Sequence, residues 1–393
     1  MTGRAVNVAK QYDAVVVGAG IVGAACARAL AIEGLRVLIV DGRYAAGGTT
    51  AAGMGHLVVM DDSPEQLALT ALSLELWHDL SRLLNGEVEY DPCGTIWVAE
   101  DSAQLDAVRE KQRMYAEYGV ASQVLDAEGV AAAEPNLRAG LSGGLLVPGD
   151  AVVYPPRAAL WLLEDARRRG ATLLEDSNAG VKELFDHGVR CGDRDIEANV
   201  VVVAAGAEAA KLVPELPIVP RKGHLAITDR YPGFVRHQLV ELGYLTSAHQ
   251  MTSESVAFNV QPRTTGQVLI GSSRELVGWD GSMNRDILRR MLDRAAAFMP
   301  SLTDLSVIRT WTGFRPTTPD KLPLIGPWPA HAGCWIAAGH EGLGITTSVG
   351  TGRLVADLVV GRTPPIDAAP YAPARVLDAT LPAQAGHSSG HSS

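Results

Sequence analysis

The stretch from Tyr12 to Gly42, YDAVVVGAGIVGAACARALAIEGLRVLIVDG, constrains the fold of this chain more than any other. An apolar strand at 14–17 precedes three glycines with the spacing G-x-G-x-x-G: Gly18, Gly20 and Gly23. An Ala-rich helix follows, and a second strand at 36–40 ends in Asp41. The glycine spacing alone is a weak signal, but the complete strand, helix, strand and terminal acid predict a dinucleotide-binding α/β unit.

Each glycine of this unit has a physical role. Gly18 permits the tight turn, Gly20 lets the backbone approach a pyrophosphate, and Gly23 lets the helix pack closely on the strand. The first helical residues, Ile21 and Val22, offer backbone N–H groups and the positive end of the helix dipole to phosphates. The alternative is a plain strand–turn–helix with incidental glycines.

The acid that ends the second strand predicts an adenosine ribose in the site. Asp41, with Gly42 beside it, would accept hydrogen bonds from the ribose hydroxyls. A turn residue at the end of a strand is the alternative for Asp41. Both FAD and NAD carry the ADP group, so the fingerprint leaves the choice between them open.

The loop at 42–59, GRYAAGGTTAAGMGHLVV, favours the longer dinucleotide, FAD. It is too small and polar for a core helix, yet it supplies a second set of backbone donors and two hydroxyl groups, and such a loop can reach the flavin end. A flexible connection is the alternative. The predicted cofactor contacts in this loop are Thr49, Thr50, Ala52, Gly53 and Met54.

A later apolar strand in ANVVVVAAGAEAAKL, at 198–212, ends in the small residues Ala204, Ala205 and Gly206. Together with the features above, it resembles the D-amino acid oxidase-like FAD-dependent oxidoreductases, in which this strand end lies near the dinucleotide. Val181, in the segment before this strand, belongs to the same predicted contacts. The resemblance runs from Tyr12 to about Tyr371.

Three further stretches carry the resemblance: GGTTAAGMGH at 47–56, WTGFRPTTPDKLPLIG at 311–326 and AAGHEGLGITTSVGTGRLVADLV at 337–359. It implies FAD as the cofactor and oxidation of an amine α to a carboxylate. Monomeric sarcosine oxidases of this family attach their flavin to a cysteine, and Gly313 stands at the matching position. The resemblance therefore implies non-covalent FAD, with Gly313 itself among the cofactor contacts.

The last of these stretches contains a glycine-rich loop followed by an amphipathic helix at about 347–360. Backbone N–H groups at a helix start stabilise negative charge, and in the family this loop faces the N1–C2=O edge of the flavin. An ordinary capped helix is the alternative. The predicted contacts here are Gly339, Gly342, Leu343, Gly344, Ile345 and Thr346.

Arg315 is the first candidate for binding the substrate, and the resemblance also places it against the cofactor. In the family the matching arginine binds the substrate carboxylate, and a planar guanidinium can grip a carboxylate with two parallel hydrogen bonds. A structural or surface arginine is the alternative. Glycine oxidases have a second arginine where this chain has Gly342. A simple glycine oxidase is therefore less favoured.

Four further residues are candidates for the catalytic site: His56, Arg274, His340 and Glu341. His340 and Glu341 line the pocket or face solvent on a loop, His56 approaches the ring or is a satisfied buried histidine, and Arg274 faces the flavin or forms a surface ion pair. No constellation predicts a general base. Hydride transfer from a neutral amine needs orientation rather than a carboxylate base.

Composition excludes several other classes. The formal net charge of −10 and the absence of a basic stripe argue against a nucleic-acid partner. Four scattered cysteines give neither a disulfide framework nor a metal site and fit a cytoplasmic protein, with peripheral contact at the inner face of a membrane left open. Nothing in the sequence distinguishes a homo-oligomer from a hetero-oligomer, or oxygen, a quinone and a partner subunit as electron acceptor.

The predicted fold class is α/β, a Rossmann-like FAD-binding domain of the glutathione-reductase type with a discontinuous, mixed-sheet α+β substrate domain. We predict that 1–85, 150–220 and 315–375 form the first domain and that 86–149 and 221–314 form the second. Helices are expected at 101–119 and 284–299. The tail, 376–393, is predicted to be disordered.

The loop sequences at 49–64 and 339–344 look most like the D-hydroxyproline dehydrogenase type, which acts on cis-4-hydroxy-D-proline and D-proline. Two alternatives stay open. One is a glycine, sarcosine or general D-amino acid oxidase that produces peroxide. The other is the flavin subunit of a hetero-oligomeric amine dehydrogenase.

Overall fold

The predicted glycine-rich turn follows the central strand of a large sheet whose middle strands are parallel. The computed structural model describes residues 11–175, 180–243 and 254–377, and the statements below concern these residues. In this sheet β1 pairs in parallel with β2 and β11, β2 with β8, and β11 with β18, while β17 is antiparallel at one edge. The strands of this sheet are β1 (Gln11–Val17), β2 (Val37–Asp41), β8 (Thr172–Glu175), β9 (Val181–Phe185), β10 (Gly188–Cys191), β11 (Arg194–Val203), β17 (Leu324–Pro327) and β18 (Cys334–Ala338).

The apolar runs in β1 and β11 explain their central position. Strands that are covered by helices or by other chain on both faces read as continuous apolar segments, and Val15, Val16, Val201 and Val202 are all buried. The order of strands is β17, β18, β11, β1, β2, β8, with a hairpin of β9 and β10 attached to β11. The carboxyl ends of β1 and β11 therefore lie side by side.

A second sheet of eight strands is mostly antiparallel, with β13 and β4 as its parallel pair. Its order is β16, β12, β15, β14, β13, β4, β6, β5. The strands are β4 (Thr95–Ala99), β5 (Gln123–Asp126), β6 (Gly143–Val147), β12 (Val219–Arg230), β13 (Gln238–Glu241), β14 (Glu254–Pro262), β15 (Gln267–Glu275) and β16 (Val307–Thr317). A short two-stranded sheet pairs β3 (His56–Leu57) with β7 (Ala151–Val152).

The α-helices cover the two large sheets. They are α1 (Ile21–Ile32), α2 (Gly48–Ala52), α3 (Pro64–Ser81), α4 (Ser102–Glu117), α5 (Ala127–Ala133), α6 (Pro155–Arg168), α7 (Ala209–Leu212), α8 (Arg285–Phe298) and α9 (Ser348–Val359). Helices α4 and α8 occupy the two predicted helical segments. Side chains of α8 pack on the second sheet, where Phe298 stacks on Phe258 with ring centroids 4.4 Å apart.

These observations confirm the predicted α/β class with a mixed second sheet. Every strand of that sheet falls wholly or mainly within 86–149 and 221–314, while the division into two domains remains a prediction. Residues 378–393 of the predicted disordered tail and residues 244–253 of the predicted second domain lie outside the described residues. Within the described part of the chain, no helix is both long and apolar enough to span a membrane.

Small residues allow α9 to lie directly on α1. A Cβ added to Gly352 would stand 2.6 Å from the carbonyl oxygen of Ala25, well inside ordinary van der Waals distance. This contact anchors α9, and with it the glycine-rich loop before α9, against the first helix of the dinucleotide-binding unit. The position of that loop therefore depends on the absence of a side chain at Gly352.

The substitution Gly352→Ala tests this contact. We expect it to lower the free energy of unfolding by about 1–3 kcal/mol, the usual cost of overpacking a core, because the backbone of α1 must move. Gly86→Ala is the matched control, since Gly86 is exposed and an added Cβ meets nothing within 4 Å. Urea unfolding of the two variants gives the comparison, and equal stabilities would contradict the proposed contact.

Candidate active site and cofactor cleft

A cavity of about 700 Å³ extends between the ends of β1, β2 and β11 and the strands β12 and β16. Its volume lies within the range of cofactor and ligand sites, roughly 300–1,000 Å³. Most of the predicted cofactor contacts line it: Gly18, Gly20, Ile21, Val22, Asp41, Gly42, Thr49, Thr50, Ala52, Gly53, Met54, Val181, Ala204, Ala205, Gly206, Gly313, Arg315, Gly342, Gly344 and Ile345. We call this cavity the cofactor cleft.

Four predicted contacts do not line the cofactor cleft. A Cβ on Gly23 would collide with the carbonyl oxygen of Gly18, so this glycine serves the close packing of α1 on the turn. Gly339 has a positive φ of 81° and packs on Thr318. The hydroxyl of Thr346 donates to the carbonyl oxygen of His56 at 2.9 Å. Leu343 lines a neighbouring, smaller cavity.

The turn after β1 leaves room only for backbone. Gly18 has a φ of 105°, and a Cβ there would lie 2.6 Å from the carbonyl oxygen of Ala204 at the end of β11. The carboxylate of Asp41 accepts hydrogen bonds from the backbone N–H groups of Ala19 at 2.8 Å and Arg43 at 2.9 Å. Because each carboxylate oxygen accepts more than one hydrogen bond, Asp41 can hold this turn and still accept from a ribose.

Protein groups already engage the two predicted hydroxyls of α2. Thr49 Oγ1 donates to the carbonyl oxygen of Phe314 at 2.6 Å, and Thr50 Oγ1 accepts from the N–H of Ile21 at 3.0 Å. These bonds tie the loop to β16 and to the first turn of α1. The loop is therefore positioned by its side chains, which leaves its backbone to face the cofactor cleft.

The loop before α9 places one buried and one partly buried side chain, His340 and Glu341, in the wall of the cofactor cleft. His340 is 3% exposed, and its Nε2 lies 3.0 Å from the hydroxyl of Thr351. Burial lowers the pKa of His340 to about 3, so the imidazole is neutral at pH 7. Glu341 follows with a left-handed φ of 48° and lines the cavity as well. The solvent-facing alternative for these two residues does not apply to this structure.

Arg315 lies at the inner end of the cofactor cleft. Its Nη1 donates to the carbonyl oxygen of Ser273 at 2.9 Å. The guanidinium lies over Gly223, where an added Cβ would collide with it, and its Nε is 3.6 Å from the position of a Cβ on Gly342. Both glycines therefore provide the space in which this guanidinium lies flat. The hydrogen bond to Ser273 helps to fix the guanidinium, which lines the cavity.

A smaller cavity of about 50 Å³ adjoins the cofactor cleft. The two share His56, Asn259, Glu341 and Gly342 as lining residues. The remaining residues of the smaller cavity are Val58, Met60, Asp62, Gln66, Trp97, Arg221, Gln238, Val240, Arg274, Lys321 and Leu343. We call this space the side pocket.

Arg274 lies in the side pocket instead of the cofactor cleft. It is 2% exposed, which also rules out the predicted alternative of a surface ion pair. Its Nε is 3.9 Å from Glu341 Oε1, and Nη1 of the equally buried Arg221 is 3.8 Å from the same oxygen. Burial raises the pKa of Glu341, but the nearby arginines outweigh this effect and lower it overall, so the carboxylate is ionised.

His56 lies where the two cavities meet. Burial, and then the positive charge of Arg315, lower its pKa to about 4, although hydrogen bonding with Gln261 and Asn259 partly opposes the shift. The imidazole is therefore neutral at pH 7. Asn259, whose Oδ1 is a buried acceptor, also lines both cavities.

Sequence reasoning missed Arg221, Lys321, Asp62 and Asn259. Arg221 has no local signal, because the register of β12 with β16 places it opposite Arg315, far away in the chain. Lys222 and His224 of the same strand pack in a separate buried network with Glu275. Among the described residues, no group of His, Cys, Asp and Glu is arranged to hold a metal ion.

Comparison with known proteins agrees with this geometry. The family described as DAO, FAD dependent oxidoreductase, matches residues 13–358. A glycine oxidase of Pseudomonas aeruginosa is 32% identical over 92% of this chain and 98% of its own length. The hydrogen cyanide synthase subunit HcnC of the same organism is 31% identical over 93% and 96%. A D-amino acid dehydrogenase of Methylobacterium nodulans is 32% identical over 78% and 73%.

A solved structure gives the same result for the fold. The crystal structure of glycine oxidase from Geobacillus kaustophilus superposes with a TM-score of 0.81 at 27% identity, covering 93% of this chain and 98% of that one. The similarity therefore extends through both large sheets and the cavities between them.

The buried histidines predict a loss of stability in acid. An unfolded histidine has a pKa near about 6.5, so between that pH and the folded values of about 4 for His56 and 3 for His340 the unfolded chain binds more protons. The free energy of unfolding therefore falls as the pH is lowered through this window. Asp150, whose pKa burial raises to about 7, has the opposite effect on the free energy of unfolding, because its folded form binds the extra proton.

The variant His340→Asn isolates one of these contributions. We expect its melting temperature to fall less than that of the wild type between pH 7.5 and pH 5, because the proton uptake of the unfolded chain is reduced. His78→Asn, at an exposed position of α3, is the control. Identical pH slopes for wild type and His340→Asn would contradict the assignment.

The packing at Gly313 predicts that flavin is bound without a covalent link. A Cβ there would lie 2.5 Å from the Cβ of Ala52, so the position on which the family comparison depends has no side chain and no room for one. Acid precipitation of the purified protein should leave the yellow colour in the supernatant. Colour that remains with the protein pellet would disprove the prediction.

Proposed function

Because the chain belongs to the DAO family of FAD-dependent oxidoreductases, an enzyme family acting on the C–N bond of amino acids, we propose that Arg315 binds the substrate carboxylate. The observation that carries the proposal is the place of this guanidinium. It lies flat over Gly223 at the inner end of the cofactor cleft, held through Nη1 by the carbonyl oxygen of Ser273. A guanidinium fixed in this way can bind a carboxylate in one orientation.

The cofactor cleft fits FAD by its chemistry. The turn at Gly18 and Gly20 and the start of α1 are suited to the pyrophosphate, Asp41 to the ribose, and the loop at 342–345 to the far end of a long dinucleotide. When it is bound, FAD supplies the acceptor for a hydride from the substrate. The residues of this chain bind the substrate, orient it and exclude water around it.

The balance of the reaction follows from an amino acid in its neutral amine form. The α C–H bond breaks, and hydrogen leaves the carbon together with both bonding electrons. The nitrogen lone pair then forms a C=N bond, and water hydrolyses the resulting imine. No carboxylate base is required for these steps, which is consistent with neutral His56 and His340 in the lining of the cleft.

The amine of the substrate needs a hydrogen-bond acceptor on the side away from Arg315. Asn259 Oδ1 is suited to this task, because it is a buried acceptor and Asn259 lines both cavities. A hydrogen bond from the substrate N–H would satisfy it and fix the nitrogen relative to the carboxylate. Two such contacts determine which face of the α-carbon is presented to the cofactor.

For the substrate itself we propose a D-amino acid or a secondary amino acid, with cis-4-hydroxy-D-proline and D-proline first. The loop sequences described above favour these, and the similarity to a D-amino acid dehydrogenase supports the D configuration. Glycine or sarcosine is the second candidate, supported by the glycine oxidase relative. A simple glycine oxidase is less favoured, because Gly342 provides no second cation for the substrate carboxylate.

The electron acceptor and the location belong to the same proposal. Oxygen, a quinone or a partner subunit each suit a reduced flavin, and the relative HcnC is named as a subunit, which supports a hetero-oligomer as one possibility. A cytoplasmic location fits the four cysteines, all of which are unpaired. Co-purification with other chains tests the hetero-oligomer, and peroxide formation tests oxygen as the acceptor.

Anaerobic bleaching of the flavin absorbance tests the proposed function directly. The panel contains D-proline, cis-4-hydroxy-D-proline, sarcosine, glycine and D-alanine with the L-isomers of the chiral members. For Arg315→Ala we expect the second-order rate of bleaching to fall by about 30-fold or more, because removal of one partner of a buried charge pair costs roughly 2–5 kcal/mol. Arg309→Ala is the control, an exposed arginine of the same strand β16.

Fast bleaching by the D-prolines alone, lost in Arg315→Ala and kept in Arg309→Ala, would support the first substrate assignment. Bleaching by sarcosine or glycine instead would favour the second. If no amino acid reduces the flavin of a protein that retains FAD, the proposed function is wrong.

A further inference from the structure

Two buried polar atoms in the wall of the side pocket lack a hydrogen-bond partner among the described residues. They are the indole Nε1 of Trp97 and the amide Oε1 of Gln238. Both residues line the side pocket and are 1% exposed. A buried donor or acceptor without a partner costs free energy, and most such groups in proteins are satisfied by protein, water or ligand. The pair therefore indicates a polar occupant of the side pocket.

The pairing of β4 with β13 brings the two side chains to one face of the second sheet. These strands are parallel, with Val240 opposite Trp97 and Gln238 opposite Thr95. Alternate residues of a strand share a face, so Gln238 and Val240 lie on the same side of the sheet as Trp97. All three line the side pocket. The donor and the acceptor therefore belong to neighbouring side chains in the wall of one small space.

The charged side chains of the side pocket do not call for a charged ligand. Arg221 Nη1 and Arg274 Nε lie 3.8 and 3.9 Å from Glu341 Oε1. Burial lowers the pKa of Lys321, and the negative charges of Asp62 and Glu341 partly oppose this shift. Because opposite charges within the wall offset one another, a neutral polar group suits the side pocket better than an ion.

A hydroxyl group suits an indole N–H and an amide oxygen together. The indole Nε1 only donates and the amide oxygen only accepts, whereas a hydroxyl does both. An ionised carboxylate has no hydrogen for Gln238 Oε1, and an ammonium group accepts nothing from Trp97 Nε1. One hydroxyl between the two side chains would satisfy both buried atoms.

The size and place of the side pocket suit a hydroxyl on the substrate. A volume of about 50 Å³ admits a short group, since one water molecule needs roughly 10–15 Å³. Asn259, the proposed acceptor for the substrate amine, lines both cavities, so the amine would lie where the side pocket begins. A ring that contains this nitrogen would extend into the side pocket, where Val58, Met60 and Leu343 offer apolar surface to its methylenes.

We propose that the side pocket is a hydroxyl-binding subsite, in which Trp97 and Gln238 recognise a hydroxyl on a ring carbon two bonds from the substrate nitrogen. Trp97 Nε1 donates to the hydroxyl oxygen, and the hydroxyl donates to Gln238 Oε1. The preferred class is then the hydroxylated cyclic amino acids, with cis-4-hydroxy-D-proline ahead of D-proline. The inference rests on the proposed function, because it requires that Arg315 holds the carboxylate and Asn259 the amine.

D-Proline and cis-4-hydroxy-D-proline provide the first test, because they differ only in the hydroxyl group. In anaerobic flavin reduction of the wild type, we expect kcat/KM for the hydroxylated substrate to be about fivefold or more above that for D-proline. This is the gain from two neutral hydrogen bonds, each of which replaces hydrogen bonds to water. Equal values would overturn the subsite and leave water as the partner of the two buried atoms.

Two variants and a control test the two residues separately. Gln238→Leu removes the acceptor and Trp97→Phe removes the donor, and both keep a large apolar side chain. Each should lower the ratio of the two kcat/KM values to about twofold or less, because one hydrogen bond is lost. Gln123→Leu, at an exposed position of β5 in the same sheet, should keep the wild-type ratio. The ratio is taken within one protein, so a general loss of active enzyme does not alter it.

A binding measurement makes the test independent of turnover. Cyclopentanecarboxylate and cis-3-hydroxycyclopentanecarboxylate reproduce the two prolines with a methylene in place of the nitrogen, so they cannot be oxidised at a C–N bond. Perturbation of the flavin spectrum should give a dissociation constant for the hydroxylated ligand about fivefold or more below that for its partner. In Gln238→Leu this difference should shrink to about twofold or less.

The outcomes distinguish the two levels of the proposal. If no amino acid bleaches the flavin of a wild-type protein that retains FAD, the proposed function itself is wrong. If glycine or sarcosine bleaches it and neither proline does, or if Gln238→Leu keeps the wild-type ratio, the proposed function stands and the hydroxyl subsite is wrong. Should Trp97→Phe fail to fold, Gln238→Leu and the two carbocyclic ligands still decide.

Discussion

The pairing of β12 with β15 on one edge and β16 on the other is the constraint on which the substrate side of this structure depends. This register brings Arg221, Arg274 and Arg315 to one place, and the loop before α9 adds Glu341. Like charges repel, so the backbone hydrogen bonds of the sheet hold these guanidiniums in place. Glu341 Oε1, 3.8 Å from Arg221 and 3.9 Å from Arg274, provides part of the opposite charge that they need.

Glycines make the remaining space. Gly223 allows the guanidinium of Arg315 to lie on β12, Gly342 leaves the area beside it open, and Gly18 lets the turn after β1 approach the end of β11. At each of these positions a side chain would fill the volume in which a ligand or a binding group lies. The two cavities are therefore defined as much by missing side chains as by the polar groups that line them.

The titratable groups divide into two kinds. His56 and His340 are held neutral by burial, whereas the surrounding arginines keep Glu341 ionised. Under the proposed function, a site of this type orients a substrate that carries a carboxylate and a neutral amine, and the cofactor carries out the oxidation. The neutral histidines also have a cost for the fold, because they lower the free energy of unfolding in acid.

The sequence by itself determined the nucleotide-binding unit, the fold class, the loop before α9 and the candidacy of Arg315, because each is encoded in a contiguous stretch or in a recognisable family motif. It did not reveal Arg221, Lys321, Asp62 or Asn259, and it left Arg274 either facing the flavin or in a surface ion pair, whereas this arginine is buried in the side pocket. Their association depends on strand register and on loops that approach each other from distant parts of the chain. Only the tertiary structure decided which isolated charges face one another, since the interaction of charges depends on their separation in space.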